Sequence, residues 1–179
     1  MKLHVTGLNH RTAPVEVRER VAFSDASLPE ALRELRERTG FHEGLILSTC
    51  NRVEIAVTTD DQVDAQRSLE EFLGEARHVE RKKLSGHLYG FDDRDAIRHL
   101  FRVASSLDSM VLGEPQILGQ LKQAYAVAKS SGSVGGYLDT VVTRAFSVAK
   151  RVRTETMIGQ NAVSVSFAAV ELAREIFGN

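Results

Sequence analysis

One cysteine occurs in the 179 residues, and it stands in the run Gly44-Leu45-Ile46-Leu47-Ser48-Thr49-Cys50-Asn51-Arg52-Val53-Glu54-Ile55-Ala56-Val57. Two apolar stretches with strand character flank a polar corner, and Cys50 lies at that corner. A free cysteine is most often a small buried hydrophobe. Here its neighbours are hydroxyl, amide and guanidinium groups, which suit a thiolate better. A nucleophilic thiol needs a depressed pKa, which a cation such as Arg52 supplies. Thr49 and Asn51 offer hydrogen bonds to a substrate or a developing oxyanion. On the residues alone, an exposed nucleophile and an inert core thiol both remain open.

Other polar groups are set among apolar anchors. His99, in Ile97-Arg98-His99-Leu100-Phe101, lies beside the apolar face of its helix and is either a packing histidine or a polar partner titrating near neutrality. The run from Ser105 to Gln120 interleaves apolar residues with Ser109, Glu114, Gln116 and Gln120. Those side chains are either helix caps or the lining of a pocket for a small polar ligand. Arg144, Lys150, Arg151 and Arg153 crowd one helix, and Arg81-Lys82-Lys83 forms a second basic cluster. Solvated faces or a phosphate-binding stripe would each explain them. The histidines at 4, 10, 42, 78, 87 and 99 lack paired ligand spacing, so no metal is expected. No G-x-G-x-x-G run occurs, so no dinucleotide loop is expected either.

These residues need a scaffold, and the composition allows one. With 42% hydrophobic and 26% charged residues, the chain is an ordinary globular one. Its formal charge of -1 gives no global attraction to nucleic acid, so any RNA contact needs a local patch. A single cysteine fits a reducing, cytoplasmic setting. Neither a signal peptide nor a membrane span is expected from the apolar runs.

Residues 2–9 read as a strand, broken by His10-Arg11-Thr12-Ala13-Pro14, with Pro14 opening a short helix. Ser27 and Glu30 have capping-box spacing before a helix that Gly40 ends. Strands at 44–48 and 52–58 follow, joined by the cysteine corner. Asp60-Asp61 is expected to start a helix reaching about Gly74, and 86–91 to form a last strand. The order β-α-β-β-α-β predicts a ferredoxin-like sandwich over residues 1–91, an α+β fold. Residues 92–179 then read as a helical subdomain, with helices at 93–107, from Pro115 to near Gly132, at 137–154 and at 162–177.

Taken together, the runs Gly7-Leu8-Asn9-His10-Arg11-Thr12-Ala13-Pro14-Val15-Glu16-Val17-Arg18-Glu19, Leu47 to Glu54, Leu100 to Gln120, and Ile158-Gly159 with Val163-Ser164-Val165-Ser166 resemble the glutamyl-tRNA reductase family. The resemblance spans nearly the whole chain. It implies that Cys50 attacks the ester of glutamyl-tRNA to give a glutamyl thioester. NADPH then reduces that thioester to glutamate-1-semialdehyde for tetrapyrrole (haem) synthesis. The residues matching the family's substrate site are Thr49, Cys50, Asn51, Arg52, Ser109, Glu114, Pro115, Gln116 and Gln120. His99 matches a histidine important for activity. Arg52 would pair a substrate carboxylate bidentately. The family continues into an NADPH-binding and a dimerisation domain, so a chain ending at Asn179 is expected to be a catalytic-domain fragment. It should be a monomer that deacylates but does not reduce, whereas the full-length enzyme would be a homodimer and a possible partner of glutamate-1-semialdehyde aminomutase. Two readings compete with this one: an RNA-binding sheet with Tyr89 and Phe91 as its nearest aromatic pair, and an interaction domain with an inert Cys50.

Overall fold

A computed structural model describes residues 1–159 and 165–178. Strand β1 (Lys2–Asn9) runs into a loop ended by Pro14, and helix α1 (Val15–Val21) follows directly. Helix α2 (Leu28–Thr39) closes on Gly40 in the left-handed region at φ 64°, as a helix-ending glycine does. The capping box is not formed: the Ser27 hydroxyl donates instead to the Ser24 carbonyl. Strands β2 (Glu43–Ser48) and β3 (Arg52–Thr59) form the hairpin whose corner carries Cys50.

Helix α3 (Ala65–Ala76) begins later than Asp60-Asp61 would have it, because Asp64 accepts the Arg67 amide and caps it. The basic run is itself a short helix, α4 (Arg81–Leu84), and strand β4 covers only Tyr89–Asp92. Three long helices follow: α5 (Asp93–Ala104), α6 (Gln116–Ser130) and α7 (Tyr137–Glu155). A single 3-10 turn spans Met157–Gly159, and α8 covers Val165–Phe177. The first residues expected of that last helix, and part of the Val163–Ser166 run, lie outside the described residues.

The four strands form one sheet in the order β2-β3-β1-β4, with every neighbouring pair antiparallel. Both faces are covered. Thr6 and His4 point to α3, where both meet Gln66, and α2 packs over β2. On the other face Glu54 meets α5 through His99, and α6 and α7 contact β2 and β3. One buried apolar cluster therefore runs from Leu3 to Ala149, and the strand and helical halves share it. Double coverage explains why β3 is buried at every position.

Register decides what sits beneath the corner. Arg52 and Glu54 lie opposite Asn9 and Gly7, on the face toward α5. A Cβ on Gly7 would come within 2.6 Å of the Val53 carbonyl and 2.7 Å of the Glu54 Cγ. Glycine there gives the Glu54 side chain its room. At the far end of the sheet, Glu43 accepts the amides of Gly136 and Leu138, the latter at 2.9 Å. These bonds hold its carboxyl low against the opposing effect of burial, and they anchor the start of α7.

Candidate active site

Cys50 is exposed on a tight corner made rigid by its own neighbours. The Thr49 amide donates to the Arg52 carbonyl at 2.8 Å, and the Thr49 hydroxyl accepts the amides of Asn51 at 3.2 Å and Arg52 at 3.1 Å. Thr49 thus braces the turn, a use of its oxygen that the sequence reading did not foresee. Arg18, on α1, donates to the Cys50 carbonyl and to Asn51 Oδ1, the latter at 3.4 Å. The Asn51 amide nitrogen stays available to a ligand. Arg18 is buried, and sequence reasoning missed it; the only signal was its place in the Gly7–Glu19 run.

Below the corner is a buried ion cluster. Arg52 is 1% exposed, and its guanidinium donates to Glu54 Oε1 at 2.8 Å and to Asp108 Oδ2 at 3.1 Å. A further bond reaches the Asp108 carbonyl. Two carboxylates therefore offset the charge that was expected to act on the thiol. The cation that touches the Cys50 residue is Arg18. Arg52 can still meet a substrate carboxylate, but only through N–H groups that Glu54 and Asp108 leave over, since a guanidinium has five.

Tyr89 donates to the same Glu54 oxygen at 2.6 Å and His99 Nε2 at 2.8 Å. Burial alone would raise the Glu54 carboxyl. The hydrogen bond from His99 and the charge of Arg52 outweigh it and hold the carboxyl down at about 2. His99 thus lies one layer beneath the corner. Its hydrogen bond goes to Glu54 and its ring stacks on Phe91 at 4.6 Å. It lines neither cavity at the thiol. Burial is tolerated because Glu54 supplies its polar partner. The aromatic pair of an RNA-binding sheet is engaged in the same cluster: Tyr89 bonds Glu54 and Phe91 covers His99.

The loop after α5 brings the remaining groups. Ser106 adopts φ 60°, its hydroxyl donates to the Glu114 carbonyl at 2.6 Å, and its own carbonyl accepts the Gly113 amide at 3.1 Å. A left-handed conformation at a non-glycine residue is held here by those bonds. The loop delivers Asp108 to Arg52, and Ser109 and Glu114 to the thiol.

Two adjoining hollows result. An inner recess of about 20 Å³ is lined by Thr49, Cys50, Asn51, Arg52, Ser109, Met110, Glu114, Gln116, Ile117 and Gln120. An outer vestibule of about 450 Å³ is bounded by Val15, Arg18, Glu19, Cys50, Asn51, Met110, Glu114 and Gln116. Eight of the nine residues expected to bind substrate meet in the recess. Pro115 does not line it and sits at the N-cap of α6. Glu114 lines both hollows, and its carboxylate has no hydrogen-bond partner among the described residues. His10 was also missed. Its amide donates to the Asn51 carbonyl at 2.9 Å, and burial together with the charges of Arg11 and Arg52 lowers its imidazole.

Comparison with known proteins identifies the family. Residues 6–156 match the family model described as glutamyl-tRNAGlu reductase, N-terminal domain. Glutamyl-tRNA reductases of Solibacter usitatus and Syntrophotalea carbinolica are 60% and 55% identical to the chain over all 179 residues. A solved structure, glutamyl-tRNA reductase from Methanopyrus kandleri, is similar with a TM-score of 0.74 at 38% identity, covering 98% of this chain and 40% of that one. The chain spans 42% and 40% of the two curated relatives. With a matching fold and a matched run from residue 6 to 156, the chain belongs to the glutamyl-tRNA reductase N-terminal domain family.

Proposed function

We propose that this chain performs the acyl-capture step of a glutamyl-tRNA reductase. The observation that carries the reading is an exposed thiol on a braced corner, facing Ser109, Glu114, Gln116 and Gln120 across one recess. The Cys50 thiolate attacks the ester carbonyl that joins glutamate to the RNA. A C–S bond forms, the C–O bond breaks, and the departing ribose oxygen takes a proton. The Asn51 amide and the Gln116 and Gln120 carboxamides are donors for the carbonyl oxygen and the γ-carboxylate. The Glu114 carboxylate complements the α-ammonium of the glutamyl group. Arg52 offers its spare N–H groups to a substrate carboxylate, oriented by Glu54 and Asp108. His99 and Tyr89 act through Glu54.

The inner recess has room for about one water molecule. The glutamyl group therefore enters from the vestibule, with Met110, which lines both hollows, moving aside.

The residues present do not fit a dinucleotide. The sheet is antiparallel throughout, and the turn from β1 to α1 carries no glycine. Reduction by NADPH, expected of the whole enzyme, is assigned to no residue of this chain. Dimer formation and an aminomutase partner rest on the family likeness alone, and a cytoplasmic setting on that likeness and the single cysteine. No helix among the described residues is long and apolar enough to cross a membrane.

The strand order β2-β3-β1-β4 supports reading the sandwich as ferredoxin-like. A division near residue 91 then has a functional sense: the sheet part carries the thiol, and residues 109–120 of the helical part close the pocket over it.

Intact-protein mass after mixing with glutamyl-tRNA, without nucleotide, tests the proposal. The expected result is a glutamyl adduct, or rapid deacylation, in the wild type and neither in a folded Cys50→Ser variant. A deacylation rate unchanged by that substitution removes the nucleophile.

A further inference from the structure

A second hollow lies across α1 from the thiol. Its volume is about 380 Å³, and its lining includes Glu16, Val17 and Arg20 from α1, and Lys82, Lys83 and His87 from the α4 region. Three permanent cations thus face one carboxylate, in a chain whose net charge is -1. Arg20 and Lys82 have no ionic partner among the described residues. Lys83 pairs only with exposed Glu80 at 3.3 Å, a contact weak enough to yield to another anion. His87 is fixed by a 2.7 Å bond from Nδ1 to the Thr12 carbonyl, in the loop that leads into α1. The third cation of the basic run, Arg81, turns away to Glu70 and Glu71. Its neighbours Lys82 and Lys83 are left to the hollow.

The arrangement of α1 links the two hollows. Val15, Arg18 and Glu19 border the thiol vestibule, while Glu16, Val17 and Arg20 border the basic groove. One helix of seven residues separates them, and Arg18 ties that helix to the Cys50 carbonyl. A helix is about 10 Å across. Roughly three stacked nucleotides, at about 3.4 Å each, cover that distance.

We propose that the groove between α1 and α4 binds backbone phosphates of the RNA strand whose esterified 3′ end crosses α1 to reach Cys50. This rests on the acyl-capture reading above and adds the place where the RNA is held. Phosphate contacts of this kind position a strand without reading its sequence. The groove would therefore supply affinity and register, while the recess recognises the glutamyl group.

The test uses this chain and unacylated tRNA, so that no chemistry enters the binding measurement. Affinity is measured across a salt series for the wild type, for Lys82→Ala/Lys83→Ala, and for Lys150→Ala/Arg153→Ala on the other basic helix. Alkylation of Cys50 by iodoacetamide, unchanged in all three, checks that the corner is intact. The expected result is that the groove variant binds about tenfold more weakly, with a log–log salt slope shallower by about 1 per lysine removed. The α7 variant should match the wild type. With glutamyl-tRNA, the groove variant should need more substrate to reach the same maximal deacylation rate.

Equal affinity and slope in the groove variant overturn the proposal, as does a loss confined to the α7 variant. A groove that proves to bind a polyglutamate peptide but not RNA also overturns it, in favour of a protein partner. The two readings fail separately. Cys50-dependent deacylation with an indifferent groove sinks this inference alone, whereas groove-dependent binding without a role for Cys50 sinks the acyl-capture reading.

Discussion

Glu54 and Ile55 are adjacent in the chain and on opposite faces of the same strand, and both are buried. On the Ile55 side the neighbours across the sheet are Thr6 and Ile46, and the helices above are α2 and α3. On the Glu54 side, near the corner, the sheet buries Arg52, Asp108 and His99 beside Tyr89. The first face stabilises by excluding water. The second removes charges from water, which desolvation makes nearly neutral or unfavourable for stability even when the pairing is good. Its return is orientation. Three donors, from Arg52, Tyr89 and His99, converge on one oxygen of Glu54, and the guanidinium among them is held beneath the thiol.

Breaking the polar face should have the largest effect. Glu54→Gln leaves Arg52 buried with one carboxylate fewer, and a loss of about 3 kcal/mol or more is expected in urea unfolding. Deacylation should fall with it, even well below the melting temperature. Acid should report the same group. The Glu54 carboxyl, near 4.5 ordinarily, is held at about 2 in the folded chain. A lowered folded value means that its contribution is complete above about pH 5 and drains away as pH falls toward 2. The shift corresponds to roughly 3 kcal/mol. Glu43 and Asp92 are lowered too. The measure is therefore the difference between wild-type and Glu54→Gln stability across pH 2 to 6, which should shrink as the acid limit is approached. A constant difference would contradict the assignment.

An intermediate effect is expected from Gly7→Ala, which presses a methyl group against Glu54 and the Val53 carbonyl. Overpacking of this kind costs about 1–3 kcal/mol. Because Glu54 stands beside the Val53 carbonyl as an obstacle, activity should fall by more than the stability loss alone explains. The smallest effect belongs to the apolar face. Ile55→Val should cost about 0.5–1.5 kcal/mol and leave the deacylation rate at low temperature as it was. Should Ile55→Val slow deacylation as much as Gly7→Ala does, the division of labour between the faces would be wrong.

Much of this was legible locally. Gly40 and Pro14 act within a few residues of themselves, and their roles follow from backbone rules, as does the place of the Thr49-Cys50 corner between two strands. The gathering of Ser109, Glu114, Gln116 and Gln120 at Cys50 was anticipated through the family resemblance. What was not legible depends on distant partners. Arg52 looks like a surface cation until Asp108, 56 residues away, is seen to hold it. Arg18 reaches a carbonyl 32 residues away. His99 reads as marginal to its helix because the group that accepts its hydrogen bond is on a strand. The α3 start was misplaced because Asp60, Asp61 and Asp64 are all capable caps, and only the tertiary path of the chain selects Asp64. The helix α4 was hidden because a basic run has no apolar period to reveal it.

The sole thiol of this chain is at once exposed and mounted on a turn that its own hydrogen bonds hold still. A maleimide dye or nitroxide will therefore attach at one known address without any engineering. It will sit at the mouth of the vestibule on a base that does not swivel. Such a tag silences the chemistry and turns the domain into a gauge, whose signal reports when a strand of RNA arrives at a doorway it can no longer use.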